Sequence, residues 1–117
     1  MVLRLAEQYL IRAEAFLNLN RLSDATTDIN VIRARAGLTL LPQDLSDDIL
    51  QQEVEDQRKY EFIAEWGHRW LDLKRTNRAN VVLQALKAPY FQSTDLLYPI
   101  PQAEIQKDPN LTQNSGY

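Results

Sequence analysis

Glu61 and Glu65 stand four residues apart, so a continuous helix would set both carboxylates on one face. Such a pair is raw material for acid–base chemistry, because a protonated carboxyl beside an ionised partner can cleave a glycosidic bond. The stretch from 61 to 75 also holds both tryptophans, Trp66 and Trp70, the only histidine, His68, and the charged Arg69, Asp72, Lys74 and Arg75. The spacing argues against catalysis all the same. Catalytic carboxylates flank a substrate from different elements, whereas Arg58, three residues before Glu61, and Arg69, four after Glu65, are placed to neutralise these acids locally.

A metal reading would use Glu65, His68 and Asp72 as a carboxylate and histidine facial set. Gly67 interrupts the helix such a set needs, and no second histidine or ligand-bearing helix completes it, so no metal site is expected. Trp66 and Trp70 could stack on sugar rings. At helical spacing, however, tryptophans belong to a core. Arg69 is placed to lie on an indole or to pair with Asp72, locking a kink at Gly67. The expectation is a structural ion and aromatic cluster of Arg58, Glu61, Glu65, Trp66, Arg69, Trp70 and Asp72, with no catalytic residue. No nucleophile, base and orienter set, phosphate loop or dinucleotide fingerprint is present, so no cofactor is expected.

Helices must position these groups. Leu3, Leu5, Ala6, Tyr9, Leu10, Ala13, Phe16 and Leu17 recur at three and four residues and predict a helix from about Leu3 to Asn18, closed near Asn20. Ser23 is the expected N-cap of a second helix, with Ala25, Ile29, Ile32 and Ala36 inward and Gly37 as its stop. The short connection makes the two antiparallel, and Ala13 and Ala25 let their axes approach. Tyr9, Ala13, Phe16, Ala25 and Ile29 match the tetratricopeptide pattern over residues 1–37, a hairpin that needs stacked neighbours to bury its apolar face.

Further helices are expected over 46–87. Ser46 should cap the third, whose inner face reads Ile49, Leu50, Val54, Phe62, Ile63 and Trp66 until Gly67 breaks or kinks it. Shorter helices follow, about His68 to Thr76 with Trp70, Leu71 and Leu73, and about Ala79 to Leu86 with Val82, Leu83 and Leu86. Four of the five prolines fall in 88–117, which predicts an irregular, extended tail with one helical turn near Gln102 to Gln106. Its Tyr90, Phe91, Leu97, Tyr98, Ile100, Ile105, Leu111 and Tyr117 argue that it docks on the helices. Asn110-Leu111-Thr112 matches a glycosylation sequon, a motif too short to carry weight.

The chain has 117 residues, 44% of them hydrophobic and 25% charged, which is one domain's worth of a globular sequence. No run approaches the ~18 apolar residues of a membrane helix. At a net charge of −3, with cations scattered among acids, there is no field to attract a nucleic-acid backbone. The absence of cysteine excludes disulfides, thiolate zinc sites and thiol catalysis. The first apolar segment begins at once without the pattern of a secretory signal, which implies either a cytoplasmic protein or an internal or C-terminal piece of something larger, and the missing helix cap favours the piece.

In order along the chain, "RLAEQYLIRAEAFLN", "DINVIRARAGL", "DQRKYEFIAEWGHRWLDLKRTNR", "LLYPIPQAEI" and "DPNLTQNSGY" closely resemble the C-terminal portion of SusD/RagB-type outer-membrane lipoproteins. The agreement spans about Arg4 to Tyr117. The resemblance implies a mainly helical, surface-exposed binding protein that captures oligosaccharides as the lid of a SusC-type TonB-dependent transporter. It also implies membrane attachment only through a lipid anchor outside this chain. This chain departs from the family pattern at Gln57, where a glutamate is usual, at Asp108 in place of asparagine, and at Ser115 in place of proline. No ligand-binding residue is carried over. The expectation is therefore a mainly α fold, tetratricopeptide-like hairpins with a Pro-rich tail packed on the helices, in a single domain over 1–117. Its expected role is noncatalytic glycan uptake, ahead of a peptide-binding tetratricopeptide adaptor and of a small glycosidase.

Overall fold

The computed structural model describes residues 4–117, so the start of the first helix at Leu3 lies outside the described residues. The order is α1 (Leu5–Asn18), α2 (Leu22–Arg35), α3 (Asp47–Glu61), α4 (His68–Arg75), α5 (Ala79–Lys87), a 3₁₀ turn (Ser93–Leu96) and α6 (Gln102–Lys107), with no strand among the described residues. The fold is mainly α, as the periodicities imply. It separates into two compact units, one ending at Arg69 and one running Trp70–Tyr117.

In the first unit, α1 buries Ala6, Leu10, Ala13 and Leu17 of the face its spacing predicts, whereas Leu5, in the first turn, is exposed. Asn20 takes the left-handed conformation at φ +57° and closes the helix; Gly37 at φ +71° does the same for α2. Ala13 and Ala25 are both fully buried where α1 and α2 pack. The cap of α2 differs from expectation. The helix starts two residues early, at Leu22 with Arg21 at the N-cap, and the hydroxyl of Ser23 donates to Gln43 Oε1 at 3.0 Å instead of capping. Ser46 does occupy the N-cap of α3, although its side chain makes no capping bond.

Two clusters show how α3 lies against this hairpin. Leu50 and Val54, early in α3, pack with Ala13 and Leu17, late in α1, and with Ala25 and Ile29, early in α2. Phe62, just past α3, packs with Ala6, Leu10 and Ile32 at the opposite end. Hence α3 runs parallel to α2 and antiparallel to α1. A repeat added through a short turn would bring its next helix back antiparallel to α2, so this hairpin does not continue as a stacked repeat here.

The reversal is made by the connection 36–46, which returns along α2. Arg33 Nε donates to the carbonyl of Thr39 at 2.8 Å. Asn30 then holds Leu41 through both ends of its amide: Nδ2 donates to the carbonyl at 3.0 Å, and Oδ1 accepts from the backbone N–H at 2.8 Å. Ser23 and Gln43 complete the return. A coil cannot supply these partners itself, so polar side chains on α2 satisfy its backbone. Buried Asp28 joins the hairpin to Arg12, accepting from Nε and Nη2, each at 2.7 Å. The bond to Asp28 raises the pKa of Arg12 further above the ordinary arginine value.

The inner face expected of the third helix is corrected in three places. Leu50 and Val54 are buried, but Ile49, Ile63 and Trp66 are exposed, Trp66 by 71%. The helix ends at Glu61, so the helical register that would aim Ile63 and Trp66 inward does not exist. Nor does Gly67 kink a continuous helix. It closes a non-helical segment in which Ala64 (φ +59°), Trp66 (φ +44°) and Gly67 (φ +71°) all lie in the left-handed region.

In the second unit, Leu73 and Ala79 are the buried apolar residues, while Leu71 and Leu86 are exposed. The tail is held chiefly by side chains that bond to backbone. Pro99 and Pro101 lack N–H groups, so 97–101 offers mostly carbonyls. Gln113 grips Ile100 twice, Oε1 accepting from its N–H at 2.8 Å and Nε2 donating to its carbonyl at 2.9 Å. Asn114 Nδ2 donates to the carbonyl of Tyr98 at 2.7 Å, and the Tyr117 hydroxyl to that of Leu97 at 2.9 Å. The tail also meets α4, where Lys74 Nζ donates to the Leu96 carbonyl at 2.8 Å and Trp70 meets Tyr98 edge-on at 6.4 Å. The expected docking therefore rests more on polar bonds than on apolar burial, since Tyr90, Leu97, Tyr98 and Tyr117 remain exposed.

Two substitutions test these devices. Asn30→Ala should destabilise by about 1–3 kcal/mol, because the N–H and carbonyl of Leu41 lose their partners together; chemical denaturation reads this directly. At Gly116 (φ +102°) a Cβ would lie 2.7 Å from both Cβ and Oγ1 of Thr94. Gly116→Ala should therefore cost about 2 kcal/mol or more, and an unchanged melting temperature would contradict the close packing.

Candidate functional site

The seven residues singled out by charge and aromaticity divide between the units. Arg58, Glu61, Glu65, Trp66 and Arg69 belong to the first, and Trp70 and Asp72 to the second. In the first unit the site forms where three helix ends converge: the lead-in to α1, the end of α2 and the end of α3. Arg4 stands in extended conformation directly before α1. Its Nη2 donates to Glu61 Oε1 at 2.5 Å, while Nη1 donates to Glu65 Oε1 at 2.5 Å and to the Glu61 carbonyl at 3.1 Å. Arg35, the last residue of α2, bonds the other carboxylate oxygen of Glu61.

The acids are thus neutralised, and by cations from distant elements. The i to i+4 register that would pair Glu65 with Arg69 is absent because the backbone between them is not helical. The short bond to Glu65 is the largest cause of a raised Arg4 pKa; burial opposes it, and the charges of Glu65, Glu61 and Glu7 add to the rise. A raised arginine value gives stability that is fully present below arginine's unfolded pKa and lost only as the pH climbs past it. The guanidinium thus stays charged throughout the physiological range.

Phe62, buried directly after α3, is the apolar centre of this arrangement. His68 stacks on its ring at 4.7 Å with 29° between planes, and the guanidinium carbons of Arg4 and Arg58 each lie 5.6 Å from its centroid. Cations over a ring face are attracted by its quadrupole, so Phe62 organises charges as well as filling space. His68 Nδ1 lies 4.0 Å from Glu7 Oε1. His68 therefore belongs to a ring-stacking contact, and no cluster of metal-ligating side chains occurs among the described residues.

Arg58 is buried beside Gln57, whose Nε2 donates at 2.9 Å to Glu53 Oε1, an oxygen that also bonds Arg33. An amide can share that acceptor, whereas a glutamate at position 57 would repel it. In the second unit, Asp72 accepts from Arg75 Nε at 2.8 Å, and Trp70 has Tyr98 at its edge and the Lys74 ammonium 5.2 Å from its ring. Arg4, Arg35 and Phe62 are the members that charge spacing alone missed. Arg4 is 57 residues from Glu61, and local spacing carries no signal over that distance.

Removing charge from this site should separate its two acids. Glu61→Gln, with a 10% exposed side chain holding two arginines, should destabilise by about 1–3 kcal/mol. Glu65→Gln, 36% exposed, should cost under about 1 kcal/mol. Thermal unfolding of both variants checks the order. Ala64→Gly should stabilise by roughly 0.5–1 kcal/mol by relieving the left-handed alanine at an exposed position.

Comparison with known proteins agrees with the motif order. The sequence model of the SusD family matches residues 1–89 and 76–117. The chain is 38% identical over 121 residues to the starch-binding protein SusD of Bacteroides thetaiotaomicron, covering 97% of this chain and 21% of that protein. Two SusD-like proteins of Formosa agariphila are 30% and 32% identical across the whole chain, which covers 24% of each. No solved structure matches. The chain spans about a quarter or less of the length of these relatives. With its motifs in family order and a family match that extends along its length, the chain belongs to the SusD family.

Proposed function

We propose that the chain is the C-terminal scaffold portion of a noncatalytic glycan-binding protein of an outer-membrane uptake system. In this reading the whole protein sits at the cell surface through a lipid anchor outside this chain. It delivers oligosaccharides to a SusC-like TonB-dependent transporter. The observation that carries the proposal is the 38% identity to a starch-binding protein, sustained over nearly all of the chain. The geometry supports it from the opposite direction. Glu61 and Glu65, the acids that could cleave a sugar bond, share one guanidinium and are occupied as its hydrogen-bond acceptors. Arg58, Trp66, Arg69, Trp70 and Asp72 act in this reading as structural members, each within its own unit.

The parallel course of α2 and α3 weighs against a tetratricopeptide adaptor, whose groove needs regularly stacked hairpins. A glycosidase would need a free acid in a cleft. The test pairs affinity electrophoresis in polysaccharide gels with a reducing-sugar assay on the full-length protein. Retardation by a glucan or another glycan, with no release of reducing ends, is the expected result. Hydrolysis that disappears in Glu61→Gln would overturn it.

A further inference from the structure

The second unit contains a cavity of about 500 Å³ whose lining includes Lys74, Asn77, Asn80, Thr94, Leu97 and Ser115. This volume lies within the range of small-ligand sites. Its walls come from four places in the chain: the end of α4, the start of α5, the 3₁₀ turn and the C-terminal strap. They are fixed by contacts already described, because Gly116 abuts Thr94 and the Tyr117 hydroxyl bonds the Leu97 carbonyl. A pre-set wall lowers the ordering cost of binding.

The lining chemistry selects a ligand class. No acid lines the cavity, and its one cation, Lys74, is engaged by the Leu96 carbonyl at 2.8 Å and by the Trp70 ring at 5.2 Å. Lys74 keeps its positive charge, but this single ammonium, already bonded to a carbonyl, is the only charge that the lining offers. What remains is neutral: hydroxyls of Ser93, Thr94 and Ser115, amides of Asn77 and Asn80, and apolar surface from Ala79, Leu96 and Leu97. Asn80 Oδ1 is buried with no hydrogen-bond partner among the described residues. Buried side-chain acceptors are almost always paired, and an exception calls for an explanation. No protein bond holds this oxygen, so a turn of the amide toward a ligand donor sacrifices none. Hydroxyl donors and acceptors on a ring with C–H faces complement this mixture.

We propose that this cavity is a subsite for one neutral, polyhydroxylated ring of a glycan, held by Asn80, Thr94 and Ser115 against the Leu97 side. The inference rests on the glycan-binding reading and adds a location and a recognition chemistry to it. The probe is maltotriose, titrated calorimetrically into the chain alongside cellotriose, xylotriose and laminaritriose. Thr94→Val preserves shape and removes one hydroxyl; Asn80→Leu preserves volume and removes the amide. Each should weaken the binding of a trisaccharide about fivefold or more, the loss of one or more hydrogen bonds, while melting temperatures stay near that of the parent chain. If Asn80→Leu fails to fold, Thr94→Val and Ser115→Ala decide. Binding with unchanged Kd in the folded variants overturns the subsite and leaves the glycan reading standing. Absence of binding to all four sugars by the unsubstituted chain also overturns the subsite, and retardation of the full-length protein in polysaccharide gels judges the broader reading independently.

Discussion

One guanidinium ties the first unit together. Arg4 reaches from the entry of α1 to a carboxylate at the end of α3, to that residue's carbonyl and to a second carboxylate in the following turn. Arg35 brings the end of α2 to the same acid. Helix termini leave backbone groups without partners and carry partial charges, so their convergence is a place where packing alone cannot finish the fold. The planar fork of arginine suits this position because it can serve two carboxylates and a carbonyl without losing its charge. Phe62 lies beneath as the apolar member of the joint, and the mixed environment explains why the site has the composition of an active centre without its freedom.

Both units solve the problem of irregular chain in the same manner. The return loop beside α2 and the proline-containing stretch 97–101 both present backbone groups that no regular ladder can satisfy. In each case an amide side chain supplies a donor and an acceptor to a single residue, Asn30 to Leu41 and Gln113 to Ile100. This pairing mimics one rung of a sheet without a strand. It explains why a fold with little continuous core outside α1 to α3 contains so many ordered connections.

Local features were readable from the sequence because their causes are local. Asn20 and Gly37 stop helices through their own backbone preferences, and the stripe of α1 is visible in its spacing. The prolines of 88–117 correctly announce irregular chain, since the missing N–H belongs to the residue itself. Trp66 and Ile63 were misplaced in the core for a different reason. An apolar pattern says which residues would share a face if the helix continued, but the helix stops at Glu61, where Phe62 packs with Ala6, Leu10 and Ile32. The pairing of Glu61 with Arg4 and Arg35 is likewise nonlocal. The family motifs pointed to the fold and lineage, while the electrostatic partners emerged only once the chain was folded.

The pair of hydrogen bonds between Gln113 and Ile100 also works as a staple at the neck of a chain loop that carries α6. Everything beyond the neck is tethered at two fixed points and makes few demands of its own. Closure entropy grows slowly, by about 0.6 kcal/mol for each doubling of loop length. The segment between Gln102 and Thr112 is therefore where this architecture can absorb inserted residues and diversify its surface, whereas a single insertion inside 97–101 or 113–117 would throw the staple out of register.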